Sequence, residues 1–252
     1  MTDTLKYSLS DSVGTLLINR EEKHNALGAA ELSSLPELLQ AIEQDDEVRV
    51  LVVTGSGNKT FCAGASLDDL NAGRITPNQF QEAMECLSAV SIPTIAAING
   101  NVFGGGVELA LSCDFRLGTE GMRLRVPAAA FGLCYPPAGI ARFVSKLGAS
   151  AARRMLVASE TLYGEELMRL QFLDYLVAQD RLSERTEELA LHIAGLAPLA
   201  TRAMKKLVSL AERGEMDMLQ AEELVARCAD SDDLQEGLAA QMDKRAPHFV
   251  GR

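Results

Sequence analysis

The 252-residue chain has no apolar run near the roughly 18 residues that a membrane-spanning helix needs, so no span is predicted. Its five cysteines (Cys62, Cys86, Cys113, Cys134 and Cys228) are odd in number and include no CxxC pair. That removes zinc spacing, and a disulfide framework does not suit a chain of this size; reduced, buried thiols are expected instead. Histidine is scarce, and none of His24, His192 and His248 has metal-ligand spacing. His24 reads as loop, His192 as helix surface and His248 as tail. Only 8 residues are proline, and hydrophobic residues make up 47%, which excludes a disordered or low-complexity chain. Positive charge is the minority sign: the formal net charge of −11 argues against nucleic acid and acidic membrane surfaces as partners. Residues 1–10 carry charge and polarity where a signal peptide needs an apolar run, so a cytoplasmic location is expected.

What the chain does have is a first half that alternates short β-type runs with glycine-rich turns. Residues 13–19 and 48–54 are β-branched runs bounded by turn residues, the pattern of buried strands, and 94–99 and 113–119 read the same way. Between the first two, Leu32, Leu35, Leu39 and Ile42 recur at helical spacing. Pro36 interrupts them, and Ser34 with Glu37 forms a capping-box pattern, so a kink or restart is expected there. Further helices are predicted at 77–91 and 105–112. From Ala138 onward amphipathic helices follow one another, broken at Gly148, Gly164, Gly195, Gly214 and Ser231. The prediction is an α/β fold: a core over 1–195 and a helical region over 196–252, continuous with it.

Two glycine-rich loops follow predicted strands. GSGNKT at 55–60 ends like a phosphate-binding loop, but Asn58 stands where a glycine is required, and no helix start follows. GNVFGGG at 100–106 lacks GxGxxG spacing. The second loop opens a helix instead. Its leading N–H groups lack intrahelical partners, and glycine lets a ligand approach the backbone closely. Glu108 lies one turn beyond Gly105, and the helix dipole alone favours its ionised form. A tight helix–sheet contact, with Glu108 as a first-turn carboxylate, fits the spacing equally well. FCAGASLDD at 61–69 repeats the logic, with Ser66 and Asp69 as a capping pair. If the two starts face one acceptor, their amides form an oxyanion hole, where each donor is worth on the order of 3 kcal/mol.

HNAL at 24–27 after Arg20, FCAGA at 61–65, PTIAAING at 93–100 and GGGVELA at 104–110, leading to Cys113 and Asp114, form an ordered set. Gly132, Gly139, Arg142, APLA at 197–200, SDDLQEG at 231–237 and KRAPHF at 244–249 extend it to the tail. In this order and spacing the chain resembles the crotonase (enoyl-CoA hydratase/isomerase) superfamily over nearly its whole length. The resemblance implies a spiral of ββα turns with a C-terminal helical trimerisation region, assembled as a homotrimer or a dimer of trimers. It implies an acyl-CoA thioester as substrate, with coenzyme A as part of that substrate and no separate cofactor or metal. The oxyanion donors fall on Ala65 and Gly105. The coenzyme and acyl segments fall on Lys23, Ala26, Leu27, Ala63, Ser66, Leu67, Asp68, Gly104, Pro127, Ala128 and Phe131.

The chain also departs from the hydratases of that family, which pair two glutamates. Glu108 matches the first, whereas Ala128 occupies the second position, and the isomerase acid falls on Pro136. Tyr135 is the nearby side chain able to donate a proton; as a plain alternative it is a pocket wall. The segment is similar to the methylmalonyl-CoA decarboxylase branch in its Tyr and its tail, but that branch has His at the position of Ala65. Ser66 replaces the usual Asp as a helix cap, with little loss expected. Arg142 is read as fixing the fold. An acyl-CoA enzyme with Glu108 and Tyr135 as its catalytic side chains is therefore expected, favouring isomerisation or decarboxylation over hydration. A non-catalytic acyl-CoA binder is the alternative, and the acidic stretch 31–47 speaks against an RNA-binding role.

Overall fold

Two sheets meeting at the corners of a spiral carry the chain, and a computed structural model describes residues 3–252. The larger sheet runs β1 (Leu5–Ser10), β2 (Val13–Ile18), β3 (Val50–Gly55), β5 (Thr94–Ile98), β7 (Phe115–Thr119) and β10 (Tyr175–Val177). After the antiparallel β1–β2 hairpin every pairing in it is parallel. The smaller sheet holds β4 (Thr60–Cys62), β6 (Asn101–Phe103), β8 (Arg123–Arg125) and β9 (Leu162–Tyr163). Each long strand of the middle turns is followed by a short strand of the second sheet and then by a helix, which is the expected ββα spiral. The central strands are buried on both faces: β5 is buried at every residue, in keeping with its apolar run 95–98.

Helix α1 (Ala29–Glu43) is continuous through Pro36 and does not restart there. Its buried stripe of Leu32, Leu35, Leu39 and Ile42 outweighs the one lost backbone bond. Nor is Ser34 a cap, since its hydroxyl donates back to the Ala30 carbonyl at 2.8 Å. The real start is Gly28, whose N–H donates to Glu31 Oε2 at 2.7 Å, and Arg20 secures that carboxylate at the same distance.

Short α2 (Leu67–Asn71) and then α3 (Pro77–Ala89) follow β4; α4 (Gly105–Leu111) follows β6, and α5 (Pro137–Ala152) follows β8. Helix α3 buries Phe80, Ala83, Met84 and Leu87 in the main core, so Met84 is core and fully buried. After α6 (Gly164–Arg169), α7 (Leu182–Ala194) covers the outer face of the large sheet, packing Leu189, Ala190 and Ile193 against Val50, Val52, Ile95 and Leu117. Helices α8 (Pro198–Arg213), α9 (Met218–Ala229) and α10 (Asp232–Asp243) end the chain. They are tied back to the spiral by Arg49, which donates to the carbonyls of Ala194 and Phe249, and by Lys205 on Asp114. Among the described residues no helix is long and apolar enough to cross a membrane. Of the cysteines, all free, only Cys62 and Cys113 are buried; Cys86 and Cys134 are exposed and Cys228 is half-buried, which corrects the expectation of five buried thiols.

Candidate active site

The two glycine-rich loops converge. Gly64, with φ +82°, is so close to the second loop that a Cβ on it would lie 2.4 Å from the Gly105 nitrogen. A Cβ on Gly106 would lie 2.2 Å from the Cys62 carbonyl oxygen, so small residues are required on both sides of the crossing. The 61–69 loop is fixed from its other side by a parallel bridge between Leu27 and Ala65. Leu27 N–H donates to the Gly64 carbonyl, and Ser66 N–H donates to the Leu27 carbonyl, both at 2.8 Å. In such a bridge the opposed residue's own N–H points away, so that of Ala65 faces away from Leu27. Among the described residues neither Ala65 N–H nor Gly105 N–H has a hydrogen-bond acceptor.

The segments at 23–27 and 63–68 lie side by side. Ala63 N–H donates to the His24 carbonyl at 3.0 Å, and Lys23 Nζ meets Asp68 Oδ2 at 3.1 Å across their exposed edge. Ala26 and Leu27 are buried beneath this seam, while Leu67 projects from it, 57% exposed. Ser66 caps α2 by accepting from Asp69 N–H, as its sequence position predicted. Gly104 takes φ +51° at the turn into α4, and its N–H donates to the Arg125 carbonyl at 3.0 Å. Past β8, Pro127 is half-buried, Ala128 buried and Phe131 strongly exposed on the surface.

Glu108 is fully buried on α4. Tyr135, from the turn before α5, donates its hydroxyl to Glu108 Oε2 at 2.8 Å, while Gln81 Nε2 of α3 donates to Oε1 at 2.9 Å and to Oε2 at 3.1 Å. Arg142 Nε stands 3.8 Å from Oε1, and the same guanidinium binds Glu85. The Tyr135 ring is set by an edge contact to Phe143, with centroids 5.6 Å apart. Gly139 makes room for this pair: a Cβ there would lie 2.5 Å from the Tyr135 ring and 3.0 Å from Glu108 Oε2.

Burial pushes the Glu108 carboxyl above its usual range, against the partial relief from Tyr135, Gln81 and Arg142. The helix dipole read from the sequence favours the charged form, whereas loss of water around the side chain acts in the opposite sense and is the largest influence on it. Tyr135 is pushed well up by its own burial and then by the Glu108 charge, so it keeps its proton and acts as a donor. Cys62, buried beside the crossing, is pushed up to about 12 by burial and is an inert thiol.

The raised carboxyl has a consequence for stability. The folded chain holds the Glu108 proton at pH values where the unfolded chain, near the ordinary 4.5, has released it. Stability is therefore lost as pH rises from the unfolded value through the folded one. Glu108→Gln removes this dependence, so its melting temperature is expected to exceed wild type by a margin that grows above about pH 4.5. The margin reads as about 2–4 °C for each kcal/mol relieved in a chain of this size. Calorimetry at a series of pH values checks it, and a margin that shrinks as pH rises contradicts it.

Arg142, read as fixing the fold, joins α5 to α3 through Glu85 and in addition stands near the candidate acid/base. Gln81 was missed. Its one sequence signal is a polar residue next to the buried Phe80 stripe of an amphipathic helix, which is common on any helix.

The chain matches the sequence profile of the enoyl-CoA hydratase/isomerase family over residues 8–252. It is 32% identical over 252 residues to the mitochondrial enoyl-CoA hydratase domain-containing protein 2 of Homo sapiens, covering 94% of this chain and 85% of that one. It is 28% identical over 249 residues to a crotonyl-CoA hydratase of Syntrophomonas wolfei, covering 96% of both. The crystal structure of an enoyl-CoA hydratase/carnithine racemase from Magnetospirillum magneticum superposes with a TM-score of 0.94 at 27% identity, over 100% of this chain and 97% of that one. The crossing of two glycine-rich loops, the spiral that delivers them and these matches lead to one conclusion: the chain is a member of the enoyl-CoA hydratase/isomerase family, the crotonase superfamily.

Proposed function

We propose that the chain transforms an acyl-CoA thioester through an enolate held between the N–H groups of Ala65 and Gly105, with Glu108 moving the proton. The observation that carries this reading is the crossing at Gly64: two unpartnered amides on loops in van der Waals contact, a short distance along α4 from a buried carboxyl. Coenzyme A lies along 23–27 and 63–68, where Lys23 offers a cation to its phosphates. Gly104, Pro127, Ala128 and Phe131 border the acyl side. The spiral core over 1–195 carries the chemistry. The helical region over 196–252 carries self-association into a homotrimer or a dimer of trimers, supported by exposed apolar side chains at Met204, Val208, Leu219, Val225, Leu238 and Met242.

A crotonyl-CoA hydratase is among the relatives, yet hydration with two carboxylates does not suit this site. Ala128 cannot transfer a proton, and the group that meets Glu108 is the Tyr135 hydroxyl. One carboxyl paired with one phenol suits isomerisation, in which a proton leaves one carbon and returns to another. It suits decarboxylation equally: loss of CO2 leaves the enolate, and Tyr135 orients the departing carboxylate.

The test is turnover of crotonyl-CoA, a 3-enoyl-CoA and methylmalonyl-CoA, with Tyr135→Phe beside wild type. Conversion of the second or third substrate is expected. Tyr135→Phe is expected to lower kcat about 10²-fold with KM little changed. Hydration of crotonyl-CoA as the fastest reaction, or full turnover by Tyr135→Phe, contradicts the reading. Binding of all three esters without turnover of any favours the acyl-CoA binder instead.

A further inference from the structure

The polar groups around Glu108 are unequally satisfied. Gln81 Nε2 spans both carboxyl oxygens and Tyr135 adds a third bond, so Glu108 is well supplied with donors. The strongest donor nearby is nevertheless held back. Arg142 has a side chain nine-tenths buried, and its Nε, with no hydrogen-bond partner among the described residues, stops 3.8 Å from Glu108 Oε1. The other end of the same planar group, Nη2, is engaged by Glu85 Oε2 in a short charged contact. Glu85 itself is 65% exposed, and with Arg142 it lines a cleft of about 610 Å³ bounded by α3, α5 and α8. A guanidinium is rigid and planar, so drawing one end toward Glu85 fixes how far the other end stands from Glu108.

We propose that Glu85 is a positioning residue that withholds the Arg142 guanidinium from Glu108 and so sets how readily the buried carboxyl carries charge. The inference rests on the reading of Glu108 as the acid/base and adds a control on it from outside the catalytic pocket. The groups facing Glu108 are Gln81 and Glu85 from α3, Tyr135 from the preceding turn and Arg142 from α5. Of these, Arg142 and Glu85 act on Glu108 in opposite senses, the guanidinium favouring its charged form and the second carboxylate opposing it. A general base works best with its proton affinity near the operating pH. A full Arg142–Glu108 pair would hold the carboxyl permanently ionised and too weak to take a proton from carbon. With no cation nearby, burial would favour its protonated form. The shared guanidinium places it between these limits.

Glu85→Gln removes the competitor and frees Arg142 to close on Glu108, so the acidic limb of kcat/KM against pH is expected to move to lower pH. Arg142→Met is expected to move it to higher pH, and Arg142→Lys to lie between Arg142→Met and wild type. The carboxyl C=O infrared band that disappears in Glu108→Gln reports the same titration in the full-length protein without substrate, and is expected to shift in the same two directions. If Arg142→Met does not fold, Glu85→Gln alone decides. Shifts in the same direction for both substitutions, or no shift of the band for Glu85→Gln, overturn the proposal. Opposite shifts of the band with no turnover of any acyl-CoA ester support this coupling while overturning the acid/base reading of Glu108.

Discussion

Glu108→Ala is expected to lower turnover by about 10²–10⁴-fold while acyl-CoA binding stays within a few-fold of wild type. The size follows from the absence of a substitute. Ala128 cannot take over the proton, and the nearest titratable group, Tyr135, holds its own proton too tightly to act as a base. Binding should survive because the coenzyme segments at 23–27 and 63–68 are anchored to each other through the Leu27–Ala65 bridge, not through Glu108. Truncation also strips the acceptor from Tyr135 and Gln81, so some stability is lost. Glu108→Gln, which keeps the shape, separates that effect from the chemistry and should be as inactive as Glu108→Ala. Activity close to wild type in either variant would remove Glu108 from the mechanism.

Gly64→Ala should be the most damaging change of a single methyl group. Its φ of +82° strains any side chain, and the new Cβ would fall 2.4 Å from the Gly105 nitrogen, 2.8 Å from Gly105 Cα and 3.0 Å from the Gly106 nitrogen. All three are backbone atoms, so no side chain can swing aside; the loops themselves must part. Loss of one well-placed oxyanion donor costs about 10²–10³-fold in kcat, and parting the loops misplaces both. The left-handed conformation adds roughly 1–2 kcal/mol of instability. Gly73→Ala is the control: its φ of +66° carries similar strain, but nothing lies within 4 Å of the added Cβ. It should lose stability and keep turnover. If Gly64→Ala loses no more turnover than Gly73→Ala, the crossing is not the oxyanion hole.

The long strands were legible because the β-type runs read at 13–19, 48–54 and 94–99 fall within two residues of the observed limits at 13–18, 50–55 and 94–98. The short strands at 60–62, 101–103 and 123–125 were not, since three residues carry no period and their pairing is set by the turns of the spiral. Pro36 misled because local geometry was weighed without the apolar stripe that holds α1 to the core. The Ser66 cap could be read because capping is local. The upward shift of Glu108 could not: a dipole acts within one turn, whereas its burial depends on Gln81 and Tyr135, each 27 positions away in sequence. Nor could spacing alone bring Gly64 against Gly105; that convergence came from the family resemblance before the fold supplied it.

The central claim, an enolate formed between the Ala65 and Gly105 amides with Glu108 moving the proton, can be tested without knowing the natural acyl group. A short saturated acyl-CoA incubated with the protein in D2O can exchange its α-protons only through that enolate. The account predicts exchange by wild type well above the uncatalysed rate, and loss of that exchange in Glu108→Ala. Exchange persisting in Glu108→Ala, or absent from wild type that binds the ester, would contradict it.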